Sequence, residues 1–199
     1  MAGQASICNR ALTKVGDDRI ISIDDDTERA RVLKALWDDL VDSEIRARNW
    51  NFAMKRASLA ALVSTPDWGF DYEYQLPADC LRPVQISEYF LSDSLTDFRA
   101  STEVPFQIEG LKILTNLAAP LPIRYLRRVT NVGEWDKSFV DVFACKLAVD
   151  ACERLSQNSS KKEMLLGEYR LAIAAAVRAD AIENPPEHIP DTSWITARA

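Results

Sequence analysis

Apolar residues recur every three to four positions in four stretches of the chain, and every second position in its middle. Ile7, Ala11, Leu12 and Val15 have helical spacing and Gly16 supplies a stop, so a short first helix is expected. Leu33, Leu36, Trp37, Leu40, Val41 and Ile45 form a second stripe with charged residues behind it. This predicts a core-facing helix that runs to about Arg48. Asp26 or Thr27 can cap its start, and Glu28 places negative charge on its first turn. Arg48-Asn49-Trp50-Asn51-Phe52 then leaves the stripe with two large aromatics that anchor the exit of the chain. The segment from Ala53 to Val63 fits either further helical turns or a strand.

In the middle, Phe70-Asp71-Tyr72-Glu73-Tyr74-Gln75-Leu76 alternates as a half-buried strand does, and Pro77-Ala78-Asp79 breaks it. Leu81 to Ile86 reads as a second extended segment. Phe106-Gln107-Ile108 and Leu111-Lys112-Ile113-Leu114, joined by Glu109-Gly110, predict a hairpin with a two-residue turn. Leu121 to Val129 is a further strand candidate. Six of the nine prolines fall between residues 66 and 130.

Helical spacing returns with Phe139, Phe143, Leu147, Ala151 and Leu155, in a helix expected to start near Asp136. After Gln157-Asn158-Ser159, Ser160 and Glu163 have capping-box spacing for a last helix that runs to about Ile182. Its second half is Ala-rich, which favours the helix and allows close packing. Asn184-Pro185-Pro186 stops it. The tail after Glu187 has few apolar residues but keeps Ile189, Trp194 and Ile195. It is suited either to dock on a partner or to fold back on its own subunit.

These elements predict a mainly α fold. A bundle of about four helices is built from 1–65 and 131–183. A small antiparallel β insertion occupies 66–130, and an extended C-terminal tail occupies 184–199. A chain of 199 residues with 47% hydrophobic and 27% charged residues suits one domain with embellishments. The N-terminus has no basic stretch followed by an apolar run, so no signal peptide is expected. No apolar stretch approaches the roughly 20 residues of a membrane span, so no membrane partner is expected.

The net charge of −6 gives no general attraction for nucleic acid. From Asp17 to Glu28 there are six acidic residues and one basic one. This run, with Asp24, Asp25 and Asp26 at its centre, reads as a solvated loop, with a contact to a basic partner as the functional alternative. Arg124, Arg127 and Arg128 form a basic cluster around Tyr125. A strand would place Arg124 and Arg128 on one face and Arg127 on the other. The cluster is expected to make intersubunit or partner contacts, with phosphate or base contact as the alternative.

Chemistry has few footholds. Glycine-rich phosphate loops and the GxSxG elbow are missing from the sequence. Cys8, Cys80, Cys145 and Cys152 include no CxxC pair, and His188 is the single histidine. Such a set makes a zinc site weak and reads as small core residues in a reducing cytoplasm. The paired carboxylates Asp38-Asp39 read as a solvated helix face. No catalytic residue, metal or cofactor is expected, and the chain is not expected to be an enzyme.

Several pieces taken in order carry a resemblance. They are Ile7-Cys8-Asn9-Arg10-Ala11-Leu12 with Val15-Gly16, then Glu28-Arg29-Ala30-Arg31 with Leu36-Trp37 and Leu40. Arg48-Asn49-Trp50-Asn51-Phe52-Ala53 and Tyr74-Gln75-Leu76-Pro77-Ala78-Asp79-Cys80-Leu81-Arg82 follow. Arg124-Tyr125-Leu126 and then Phe139, Phe143, Ala144 and Leu147, leading to the helix with Tyr169, complete the set. Across nearly its whole length the chain resembles the head–tail connector proteins of tailed phages, in particular the tail tubular protein A or tail adaptor group. The order of the pieces carries more of the likeness than any one of them.

The resemblance implies a structural virion protein that forms a homo-oligomeric ring, typically a dodecamer, beneath the portal protein. The tail would dock on the portal through Ile189, Trp194 and Ile195. The opposite face would receive a downstream nozzle or tube protein, and DNA would pass through the channel without sequence-specific binding. The location implied is the head–tail interface of the virion, after assembly in the host cytoplasm. The alternative from the residues is a helical nucleic-acid-binding or regulatory module that uses Arg124, Arg127 and Arg128.

Overall fold

A computed structural model describes residues 3–87, 89–90 and 106–183. Four helices occur where the 3.6-residue stripes predict them. They are α1 (Gln4–Val15), α2 (Glu28–Ala47), α3 (Lys137–Ser156) and α4 (Ser159–Glu183). Gly16 ends α1 at φ 81°, a conformation open to glycine, and its N–H bonds the Leu12 carbonyl at 2.8 Å. Thr27 caps α2 by accepting from the Ala30 N–H at 3.3 Å, and Asp136 caps α3 by accepting from Ser138 N–H at 2.7 Å. At α4 the cap is Asn158, whose Oδ1 accepts from Lys161 N–H at 3.1 Å. The helix thus starts one residue before Ser160, which stands inside its first turn.

The helices bury one large core. Trp37 stacks on Trp135 at 5.9 Å and meets Phe143 edge-on at 5.0 Å, while Trp50 meets Phe139 edge-on at 5.1 Å. Trp135 touches Phe139 and Phe143 as well. The indole N–H groups of Trp50 and Trp135 are satisfied, the first by the Glu44 carbonyl and the second by the Val129 carbonyl, each at 3.0 Å. Helix α3 supplies the centre of this core and is buried on most sides, from Phe139 to Cys152. Cys145 and Cys152 are both buried free thiols.

The rest of the molecule corrects the expectation of a mainly helical bundle with a small β insertion. The fold is mixed α and β. Seven strands follow chain order: β1 (Met54–Leu59), β2 (Tyr72–Gln75), β3 (Cys80–Ile86), β4 (Tyr89–Phe90), β5 (Phe106–Glu109), β6 (Lys112–Thr115) and β7 (Leu121–Arg127). They make one antiparallel sheet in the order β1-β7-β3-β4 and another in the order β2-β6-β5. A bridge between Ala61 and Tyr74 links the chain beyond β1 to β2. The open segment from Ala53 to Val63 therefore resolves into a strand.

The physical reason for the correction is a second hydrophobic core. Tyr74, Leu76, Ile86, Ile113, Leu121, Ile123 and Tyr125 bury one another between the sheets, apart from the helical core. A β region with its own interior is a second packed layer rather than an embellishment. In the β5–β6 hairpin Glu109 pairs with Lys112, so the two turn residues are Gly110 and Leu111, one step later than the pattern predicts. Gly110 takes φ 59° there.

Strand β7 joins the two halves. Leu121, Ile123 and Tyr125 point into the sheet core, whereas Leu126 belongs to the helical core with Val84 and Met54 packed around it. Alternation along one strand thus feeds two interiors.

Candidate functional site

Strand β7 also carries the predicted basic cluster, and the structure separates its members. Arg127 pairs with the Glu134 carboxylate, which that guanidinium holds below its ordinary range. Arg128 lies just beyond β7, so strand alternation does not reach it. Its Nε donates to Asp42 Oδ1 of α2 at 2.7 Å, and its backbone N–H to the Asp79 carbonyl at 2.7 Å. Arg124 makes no ion pair among the described residues. Its antiparallel neighbour on β1 is Arg56, and on β3 it is Gln85.

Tyr125, between the arginines, has a structural partner. Its hydroxyl donates to Asp79 Oδ1 at 2.9 Å, and Lys55 of β1 donates to Asp79 Oδ2 at 2.8 Å. Lys55 also lies over the Tyr125 ring, 5.9 Å from its centroid. Burial pushes the Asp79 carboxyl up, but the bonds from Lys55 and Tyr125 outweigh it and hold the group below its ordinary range. Asp79 therefore ties the turn before β3 to β1 and β7.

The acidic run lies between α1 and α2 and is matched largely within the subunit. Asp24 pairs with Lys34 at 2.7 Å and Asp26 with Arg31 at 2.9 Å. Asp25 accepts the backbone N–H groups of Ile21 and Ser22 at 2.8 and 3.1 Å. Asp17 and Asp18 share Arg29, and Glu28 pairs with Arg154 of α4's neighbour α3 at 2.8 Å. Pairs this exposed add little stability, but they lower the charge the loop can offer a basic partner.

A cleft of about 980 Å³ lies between α1, α3 and α4. Arg10 of α1 pairs with Asp141 of α3, and Lys14 of α1 with Glu168 of α4 at 2.7 Å. The bond from Lys14 to Glu168 pushes the lysine up, so it stays charged. Cys145 borders the cleft, and burial raises its thiol. Burial likewise pushes Cys8 up to about 12 and Cys80 up to about 11. Thiols so raised are protonated at neutral pH and are poor nucleophiles. Among the described residues no group of three His, Cys, Asp or Glu side chains could hold a metal ion, and no helix is long and apolar enough to cross a membrane.

Large apolar side chains stand exposed on α4 and in the β region, besides Ile21 in the loop between α1 and α2. On α4 these are Met164, Leu166, Leu171, Val177 and Ile182, and in the β region they are Val63, Trp68, Tyr72, Ile108 and Leu111. Trp68 is 85% exposed and Ile182 81%. The predicted docking residues Ile189, Trp194 and Ile195, with His188, lie outside the described residues. Arg56 is a further residue missed from the sequence, because only strand register brings it beside Arg124. No protein-family model matches the chain, and no curated protein matches it.

Proposed function

We propose that the chain is a structural subunit of a phage head–tail connector, working as one copy in a ring. In this reading the segment 184–199 docks on the portal protein through Ile189, Trp194 and Ile195. A downstream nozzle or tube protein binds the other side of the ring, and DNA passes through the channel. The ring is a dodecamer, as in the family the sequence resembles. It belongs to the head–tail interface of the virion.

The observation that carries the proposal, beside the resemblance, is α4. It has 25 residues, and only Leu165 and Ala176 are buried among them. From Leu171 to Val177 every residue is apolar. A helical stretch apolar on all sides is normally covered on all sides, so residues 171–177 suit a chain that completes its packing in an assembly. The chain then runs on from α4 into the apolar-bearing tail. A ring also needs two different complementary surfaces per copy, and the exposed apolar sets on α4 and on the β region supply separate candidates. The alternative of nucleic-acid binding by residues 124–128 loses two of its three cations to Glu134 and Asp42.

Size-exclusion chromatography with light scattering tests the proposal, on the chain alone and mixed with the portal ring encoded by the same genome. Co-elution as a defined multimer, lost on deletion of 184–199, is the expected result. A monomer that ignores the portal overturns the reading.

A further inference from the structure

The cross-strand neighbours Arg56 and Arg124 stand on the outward face of the β1-β7-β3-β4 sheet. The residues flanking Arg124, Ile123 and Tyr125, point into the sheet core, which fixes the outward direction of Arg124 and of Arg56 opposite it. One pair further along this face, Met54 and Leu126 pack on the helical core. The arginines therefore sit just where the sheet leaves the helices. They line a hollow of about 350 Å³ together with Ser58, Gln85, Ser87 and Pro122.

Two features of this hollow are unfavourable in the free protein, and an anion would offset the first. Directly opposed residues in an antiparallel pair have Cβ atoms about 5 Å apart, and like charges so placed repel. Neither arginine has an acidic partner among the described residues, although ion pairs engage Arg127 and Arg128 a few residues away. At the rim, Ser87 takes φ 53°, a conformation uncommon for a residue with a side chain. It is held there by its N–H on the Pro122 carbonyl at 2.8 Å and by Gln85 Nε2 on its own carbonyl at 2.9 Å.

We propose that the Arg56–Arg124 hollow is a binding site for a phosphate group. Two guanidinium forks offer paired N–H donors to several oxygens at once, and the hydroxyls of Ser58 and Ser87 add two more donors. A carboxylate holds its two oxygens in one plane, which suits one fork. The tetrahedral oxygens of a phosphate group point in different directions and can face two forks at once, and its negative charge offsets their repulsion. The group is either the free anion or the phosphodiester of a nucleic-acid backbone. The inference stands on the register and the hollow, and it holds whether or not the chain forms a connector ring.

Thermal unfolding in inorganic phosphate against chloride at matched ionic strength tests it, on the wild type and on R56Q/R124Q. Phosphate also stabilises proteins generally by exclusion from their surfaces, so the readout is the difference between the two proteins. The expected result is a melting temperature that climbs with phosphate in the wild type by about 5–10 °C more than in the variant, at a hundredfold excess over the dissociation constant. In chloride the variant should melt no lower than the wild type, since the substitution removes a repulsion and keeps a polar side chain at each of two solvent-facing positions. R154Q, which removes a cation elsewhere, should keep the phosphate response.

Anisotropy of a labelled DNA duplex identifies the source. Binding that phosphate competes away, and that R56Q/R124Q lacks, assigns the site to the phosphodiester. A phosphate response without DNA binding assigns it to the free anion. Equal phosphate responses in the two proteins overturn the proposal. So does salt-sensitive self-association that the variant loses without any phosphate response, which would give the arginines to carboxylates of a second copy.

Discussion

The Tyr169 hydroxyl donates to the Glu44 carboxylate, 2.9 Å from each oxygen, and so joins α4 to α2 across 125 residues of chain. Glu44 is 6% exposed. A buried carboxylate needs such a donor, because no water can replace it. Lys146, whose ammonium also lies 5.9 Å from the Tyr169 ring centroid, adds a favourable charge. Substitution Y169F leaves the carboxylate short of its hydrogen bond and should cost about 1–3 kcal/mol in urea unfolding. An unchanged midpoint would mean that water reaches Glu44.

The same pair predicts a pH dependence. Burial pushes Glu44 up from about 4.5, and the Tyr169 hydrogen bond with the charges of Lys146 and Arg48 only partly counters it, while Asp150 adds to the rise. The folded chain therefore keeps this proton at pH values where the unfolded chain has released it. Its contribution to stability is full below about pH 4.5 and is lost as pH rises through the folded pKa. E44Q, which cannot ionise and can still accept from Tyr169, should gain on the wild type between pH 4.5 and pH 7. Denaturant titrations of both proteins at the two pH values measure this, and a constant difference would count against a raised Glu44.

Asp79 predicts the opposite slope. Its carboxyl is held low, so the stabilisation it gives is present above about pH 3.8 and is lost as pH falls through the lower folded value. D79A removes the acceptor for both Lys55 and Tyr125 and should cost about 1 kcal/mol, a modest figure because the ion pair is partly exposed and screened. Y125F should lose part of the same energy, and the two effects should be less than additive in a double-mutant cycle.

Trp135 is 4% exposed and touches Trp37, Phe139 and Phe143. W135A opens a cavity among these rings and strands the Val129 carbonyl that the indole N–H now satisfies. The expected cost is about 3–5 kcal/mol in calorimetry or denaturant unfolding. W68A, at a site 85% exposed, should change stability by less than about 0.5 kcal/mol.

Leu171 is 74% exposed on α4. L171E should leave the melting temperature of the free chain nearly unchanged. If α4 is covered in the connector ring, the same substitution should abolish co-elution with the portal in light scattering. Full assembly by L171E would take this part of α4 out of the contact.

The helices were legible because apolar residues recur in them at helical spacing, as Leu33 to Ile45 do behind the Thr27 cap. Strands β2, β5 and β6 were legible from alternation or from a hairpin turn. Strand β1 was not, because Lys55 and Arg56 are consecutive and both exposed, which breaks the two-residue period. Without β1 the four-stranded sheet cannot be counted, and the β half looks like an insertion.

Local pattern thus determined the helix positions, several strands and the stops at Gly16 and Gly110. The tertiary structure decided which charges meet. It sent Arg127 to Glu134, Arg128 to Asp42 and the acidic run to its own neighbours, and it left Arg124 facing Arg56. The reason is physical. Helical period and turn chemistry act over a few residues and are written in consecutive positions. Strand register and the Tyr169–Glu44 hydrogen bond between α4 and α2 join residues far apart in sequence, and they are chosen only when both cores close.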